Sequence, residues 1–221
     1  MFFDLLFSDP LFFISVVIAI LLAVVIHEFC HAWMATYLGD PTAKYQGRLT
    51  LNPLAHLDPV GTILLFIAGF GWGKPVPFSL QYLKNPRVDA ALIAFAGPLS
   101  NLVVALVFAI PYRYLYFESL ELTATSAVAA FSLVLMKTII DFNLILMVFN
   151  LLPIPPLDGS KVFALLLPGD YVGKLYKYRN YGYGILLILV FSHYIFGINI
   201  LGKYILGPSL DFFRGLLLYS G

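Results

Sequence analysis

Hydrophobic residues are grouped along this chain in long blocks, not in alternation. Leu11 to Ile26, LFFISVVIAILLAVVI, runs sixteen residues without a charge and passes straight into HEFCHAWMATY. A bilayer crossing needs about 20 apolar residues in helical form. Segment 11–38 is therefore expected to span, ending where Gly39 and Pro41 stop a helix. Blocks 89–112 and 122–152 are also long enough, and the second carries Lys137 and Asp141 at a spacing that pairs them on one helix face. A fourth crossing is expected at about 183–206.

Between the first two spans, TILLFIAGFGWG (62–73) is too short to cross at about 1.5 Å per residue and reads as a partial or re-entrant insertion. GRLTLN (47–52) and KPVPF (74–78) flank it with weak strand signals. Two prolines place the second at a sheet edge if it is a strand at all. In LLPIPPLDG (151–159), three prolines and a glycine break any helix. A short helix from about 160 to 167, the basic segment GKLYKYR (173–179) and an interfacial amphipathic tail, PSLDFFRGLLLYSG, are expected to follow. The pattern predicts an all-α polytopic membrane protein with about four full transmembrane helices, short or re-entrant segments and a small membrane-associated β element. It forms one domain over 1–221, with a core at about 11–167 and a C-terminal span and tail at about 181–221.

Composition agrees: 61% of residues are hydrophobic and 11% charged, against about a quarter charged in soluble domains. A net charge of +1 without a basic stripe speaks against a nucleic-acid partner. The single cysteine, Cys30, rules out an internal disulfide. The opening MFFDLLFSDP has Asp4 and Asp9 where a secretory signal has basic residues, so the first block is expected to be a retained span. Lys44, Arg48, Lys74, Lys84 and Arg87 flank 62–73, and Lys174, Lys177 and Arg179 follow 160–167. If neither short segment crosses, all these cations share one side, taken as cytoplasmic, with Glu118 and Glu121 opposite. The histidine end of the first span and PPLDG then share that cytoplasmic side.

The chemistry is concentrated in HEFCH, which is His27-Glu28-x-x-His31. At helical spacing the two histidines lie about 40° apart, on one face. Two imidazoles so placed suit a tetrahedral zinc ion, and the neighbouring carboxylate suits a general base. The plainer reading, polar groups satisfied within a bundle, must place three costly groups in apolar surroundings. A catalytic zinc needs a third protein ligand. His56, His193, Cys30 and the acids are candidates, and Asp158 is preferred because its Pro-broken loop at a membrane boundary must be buried in protein or line a polar cavity. Asp158 equally suits the N-cap of a helix starting near Ser160, and the residues alone leave the two roles open. His56 suits hydrogen bonding or substrate contact, Cys30 packing, and His193 a satisfied place in the bundle. Gly97, Ser100 and Asn101 suit close helix packing, with Asn101 also a candidate to reach a cleft.

HEFCH on an early membrane helix, with NLLPIPPLDG (150–159) far downstream, resembles the site-2 protease family of intramembrane zinc metalloproteases. The family pattern is HExxH with a distant N-x-x-P-x-x-x-x-D-G, matched here by Asn150, Pro153, Asp158 and Gly159. NPLAHLDPVGT (52–62), GWGKPVPF (71–78) and AGPLSN (96–101) are similar to segments of its compact prokaryotic members, and the resemblance covers roughly 15–167. It implies one zinc ion held by His27, His31 and Asp158, water activated by Glu28, and Asn150 near the cleft. It further implies a multi-pass protein of a prokaryotic cell membrane with its active site near the cytoplasmic side. Its substrates would be transmembrane proteins presented as an extended strand. The sequence shows no PDZ or CBS module of the kind many relatives carry, which leaves substrate gating without a visible basis and a gating partner unknown. The alternative is a non-catalytic membrane protein, an inactive relative or a metal transporter, although a transporter would spread ionisable groups along several spans. A distant glutamate as third ligand would have to be Glu118 or Glu121, on the opposite side.

Overall fold

The structure is a computed structural model that describes residues 2–118, 126–167 and 179–219. Its helices are α1 (Phe2–Ser8), α2 (Pro10–Tyr37), α3 (Thr42–Tyr45), α4 (Pro59–Ala68), α5 (Pro86–Glu118), α6 (Ala127–Asn150), α7 (Asp158–Phe163), α8 (Arg179–Val190), α9 (Ser192–Phe196) and α10 (Gly207–Arg214). Asp9 starts α2 by accepting from the Phe12 N–H, with Pro10 in the first turn, where its missing N–H is harmless. Asp58 and Ser126 start α4 and α6 in the same way. Among the described residues, α2, α5 and α6 are long and apolar enough to cross a bilayer, and each packs on the other two.

Between lipid-embedded helices there is no hydrophobic driving force, so close backbone approach through small side chains does the packing. On α2 the buried face is a row at four-residue intervals: Ser15, Ala19, Ala23, His27, His31 and Ala35. Helix α5 answers with buried Ala90, Ala94, Gly97, Asn101, Ala105 and Ala109. The histidines are thus two positions in a row of small residues, which puts their rings between helices. Large apolar residues such as Ile18, Val103, Val107 and Ile110 face outward, as lipid contact requires. This is a membrane protein with an all-α fold.

Two expectations change. The proposed crossing at 183–206 is broken: α8 has twelve residues, and α9 stops at Gly197 in the left-handed conformation. Ile200 N–H then donates to Ser192 Oγ, folding the chain back, and Leu201–Leu206 is π-helical. The tail lays one face on the bundle: Leu210, Leu217 and Leu218 are buried against α5 and α6, while Asp211, Phe212 and Leu216 are exposed. Arg214 Nε reaches Asp141 Oδ1 at 2.7 Å, and Asp141 also pairs with Lys137 at 2.7 Å.

The β element is reduced, among the described residues, to one antiparallel bridge between Leu57 and Gly73. Lys74 N–H extends it by donating to His56 O at 2.8 Å. It stops there because Pro75 and Pro77 have no N–H to continue a ladder. In GRLTLN the buried residue is Arg48, while Leu51 is exposed, so the strand alternation fails. Segment 62–73 becomes the ten-residue α4, ended by Gly69 in the left-handed conformation. The helix expected at 160–167 is α7 followed by a 3-10 turn, Ala164–Leu166. Glu121, Lys174 and Lys177 lie outside the described residues, as does most of GKLYKYR.

Candidate metal centre

His27 and His31 leave α2 toward α5, where each Nδ1 meets an oxygen. His27 Nδ1 lies 2.7 Å from Asn101 Oδ1, and His31 Nδ1 lies 2.7 Å from Ile93 O. The Asn101 amide nitrogen donates to Ala23 O and to Asn143 Oδ1, so its oxygen is fixed as the acceptor toward His27. Asn143 is itself held by donating to Ile139 O. Both imidazoles are therefore protonated at Nδ1, which leaves the Nε2 lone pairs for a metal, the arrangement typical of histidine ligands.

Asp158 opens α7 directly after the loop containing the cis Pro155–Pro156 bond. That turn packs on the end of α6 so tightly that a Cβ on Gly159 would lie 2.2 Å from Leu151 O. Leu157 occupies the cap position of α7, and Asp158 is the first helical residue. Its Oδ2 lies 3.2 Å from His27 Nε2 and 3.1 Å from His31 Nε2, which are 3.0 Å from each other. Its other oxygen faces Lys161 Nζ at 3.4 Å.

Three lone-pair donors thus converge on one point, and each of the two nitrogens has its proton on the far side. A metal ion at that point would satisfy all three lone pairs at once. Ligands about 2.05 Å from a tetrahedral zinc stand about 3.3 Å apart, and the three observed separations are slightly shorter. The donors, two imidazoles and a carboxylate, are ones zinc takes. Among the described residues this is the one such group, so His56, His193 and Cys30 are not part of it.

Helix α5 can come this close only at a glycine. A Cβ on Gly97 would lie 2.4 Å from His31 Nε2 and 2.7 Å from His27 Cε1. Because both rings are pinned at Nδ1, they cannot move aside. Gly97→Ala should therefore lower zinc affinity by about 10- to 100-fold, the range seen when the supports of metal ligands are disturbed, measured by titration against a competing chelator. Wild-type affinity in that variant would show that the rings are free to shift.

Glu28 is half-buried and lines the same cavity, of about 1200 Å³, as His27, His31 and Asp158. Its Oε2 accepts from Val76 N–H at 3.1 Å. A buried cation, Arg48, lies near it: burial pushes the guanidinium down and the Glu28 carboxylate opposes this. Of the residues expected near substrate, Asn150 lines the cavity, with its amide nitrogen donating to Leu146 O. Asn101 is fully buried behind His27. His56 is also fully buried and faces Thr50 O at 2.7 Å. His193 is exposed beside Tyr194, not enclosed in a bundle.

No family model matches the chain, and no solved structure matches it. Among curated proteins it is 40% identical over 205 residues to "Putative zinc metalloprotease YwhC" of Bacillus subtilis, covering 91% of this chain and 88% of that one. The chain belongs to the site-2 protease family. It is also 30% identical over 186 residues to "Putative zinc metalloprotease Rip2" of Mycolicibacterium smegmatis, covering 81% of this chain and 68% of that one. To "Putative zinc metalloprotease MJ0611" of Methanocaldococcus jannaschii it is 34% identical over 164 residues, covering 71% and 75%. These names support a zinc-dependent metalloprotease, and the His27–His31–Asp158 group could hold the metal.

No motif singles out Asn143, Gly97, Lys161 or Arg48 for the site. Asn143 had a usable signal, because an amide inside an apolar span needs a partner. The role of Gly97 depends on how α2 and α5 cross, which no local pattern encodes.

Proposed function

We propose that this metalloprotease is an intramembrane endopeptidase that hydrolyses peptide bonds within or near transmembrane segments, as in regulated intramembrane proteolysis. One observation carries the reading: the candidate metal group, Glu28 and the segment 73–78 line a single cavity at one end of three long apolar helices. Loop 38–85 and the loop after α6 lie at that end, with Lys44, Arg48, Lys74, Lys84 and Arg87. The excess of cations supports a cytoplasmic placement in a multi-pass prokaryotic cell-membrane protein.

His27, His31 and Asp158 would hold the zinc ion, which when bound would polarise the scissile carbonyl and make a bound water far more acidic. Glu28 takes the proton of the attacking water and delivers it to the leaving amine nitrogen, a base that becomes an acid. The Val76 N–H fixes the position of Glu28, and Arg48 lies near it. Lys161, beside Asp158, adds positive charge where the carbonyl oxygen becomes negative, and Asn150 offers its amide oxygen to the substrate backbone. A helical substrate must unwind before attack, and its freed polar groups need partners, since each one unpaired in hydrocarbon costs several kcal/mol. The extended segment 73–78 supplies them by pairing with the substrate as a strand.

The test is purified protein in liposomes with a single-span substrate, the products located by mass spectrometry. Cleavage within or beside the span is expected, abolished by a zinc chelator and restored by added zinc. Cleavage confined to soluble polypeptide, with the membrane substrate untouched, would overturn the intramembrane reading.

A further inference from the structure

We propose that residues 74–77 form a ledge that only accepts hydrogen bonds, binding the N–H groups of an unwound substrate and leaving its carbonyls unpaired for chemistry. This rests on the strand-pairing reading above and specifies what that pairing consists of.

Pro75 and Pro77 have no N–H to offer. The two N–H groups between and before them are already engaged, Lys74 with His56 O at 2.8 Å and Val76 with Glu28 Oε2 at 3.1 Å. The Lys74 carbonyl is taken by the Arg48 guanidinium. From Lys74 through Pro77 no backbone donor remains, whereas the carbonyls of Pro75, Val76 and Pro77 accept nothing from the described residues. These three residues line the cavity that contains His27, Glu28 and Asp158.

An ordinary sheet edge presents N–H and C=O groups together and engages both kinds on the incoming strand. Here the incoming strand can only donate. A donor on the ledge would compete with the metal for the scissile carbonyl and draw its oxygen out of position. The alternation of prolines removes that competitor at two successive outward positions. It also fixes φ near −65° at both and disfavours the helical region at Lys74 and Val76, so the ledge is extended before substrate arrives. The specificity that follows is for backbone: a substrate needs free N–H groups at two residues, one apart, and tolerates neither proline nor N-methylation there.

The experiment uses the zinc-loaded full chain in liposomes with a synthetic single-span peptide and variants in which each amide near the cut is replaced in turn by an ester. The replacement removes one N–H and adds no bulk. Two positions separated by one residue should lose about tenfold in kcat/KM, the value of one net hydrogen bond, while neighbouring positions change little. Pro77→Ala, which installs a donor, should lower kcat about tenfold with KM unchanged or lower and zinc content unchanged. A flat ester scan on a peptide that wild type cleaves overturns the ledge and leaves the protease reading in place. Zinc-loaded wild type that leaves the parent peptide uncut overturns both.

Discussion

Glu28→Gln protein should bind zinc at the wild-type stoichiometry and lose at least about 10³-fold in turnover. The size follows from the role: removing a positioned general base, which must also serve as the acid, typically costs 10²- to 10⁴-fold. The amide is nearly isosteric and its oxygen can still accept from Val76 N–H, so the 73–78 segment should stay anchored. Zinc should stay as well, because Glu28 is not among the three converging donors. The measurement pairs metal analysis with initial rates on a membrane-embedded substrate, and a fully active variant would remove Glu28 from the mechanism. Glu28→Ala is the informative contrast, because it also frees Val76 N–H and restores a donor to the ledge.

Asp158→Ala should separate the two functions in the opposite sense, by losing the metal first. Two imidazoles remain at 3.0 Å, a two-ligand site in a protein that needs three plus an open position. Disturbing even the supports of metal ligands costs 10- to 100-fold in affinity, so deletion of a ligand should cost more than about 100-fold. Zinc per chain should then fall far below one after dialysis. The variant should still fold, since Asp158 caps no helix and α7 is positioned by the contact of Gly159 with the end of α6. Stoichiometric zinc in Asp158→Ala would return this residue to a structural role and leave the third ligand open.

The parts of the fold legible in advance were those governed by local rules. Unbroken apolar length identified α2, α5 and α6, and the four-residue spacing of His27 and His31 fixed their shared face. Failures came where a neighbouring contact overrode the local pattern. The fourth crossing looked continuous by hydropathy, yet Gly197 and the bond from Ile200 N–H to Ser192 Oγ turn the chain back. The apolar face of the tail packs on the helix bundle, a partner that no local pattern names. The anticipated β element failed for a reason visible in the letters, two prolines, but the consequence depended on which edge they faced.

Length, hydropathy and helical period act over a few residues, so the letters alone mark a membrane protein whose first span carries two histidines and a glutamate on an apolar helix. What completes the group emerges from the folded chain. Asp158 meets His31 across 127 positions of chain, Asn101 and Ile93 set which nitrogen faces inward, and Gly97 lets α5 lie close enough for them to do so. Those meetings depend on how three helices cross, and crossing geometry is fixed by the packing of whole faces, which no single stretch of sequence contains.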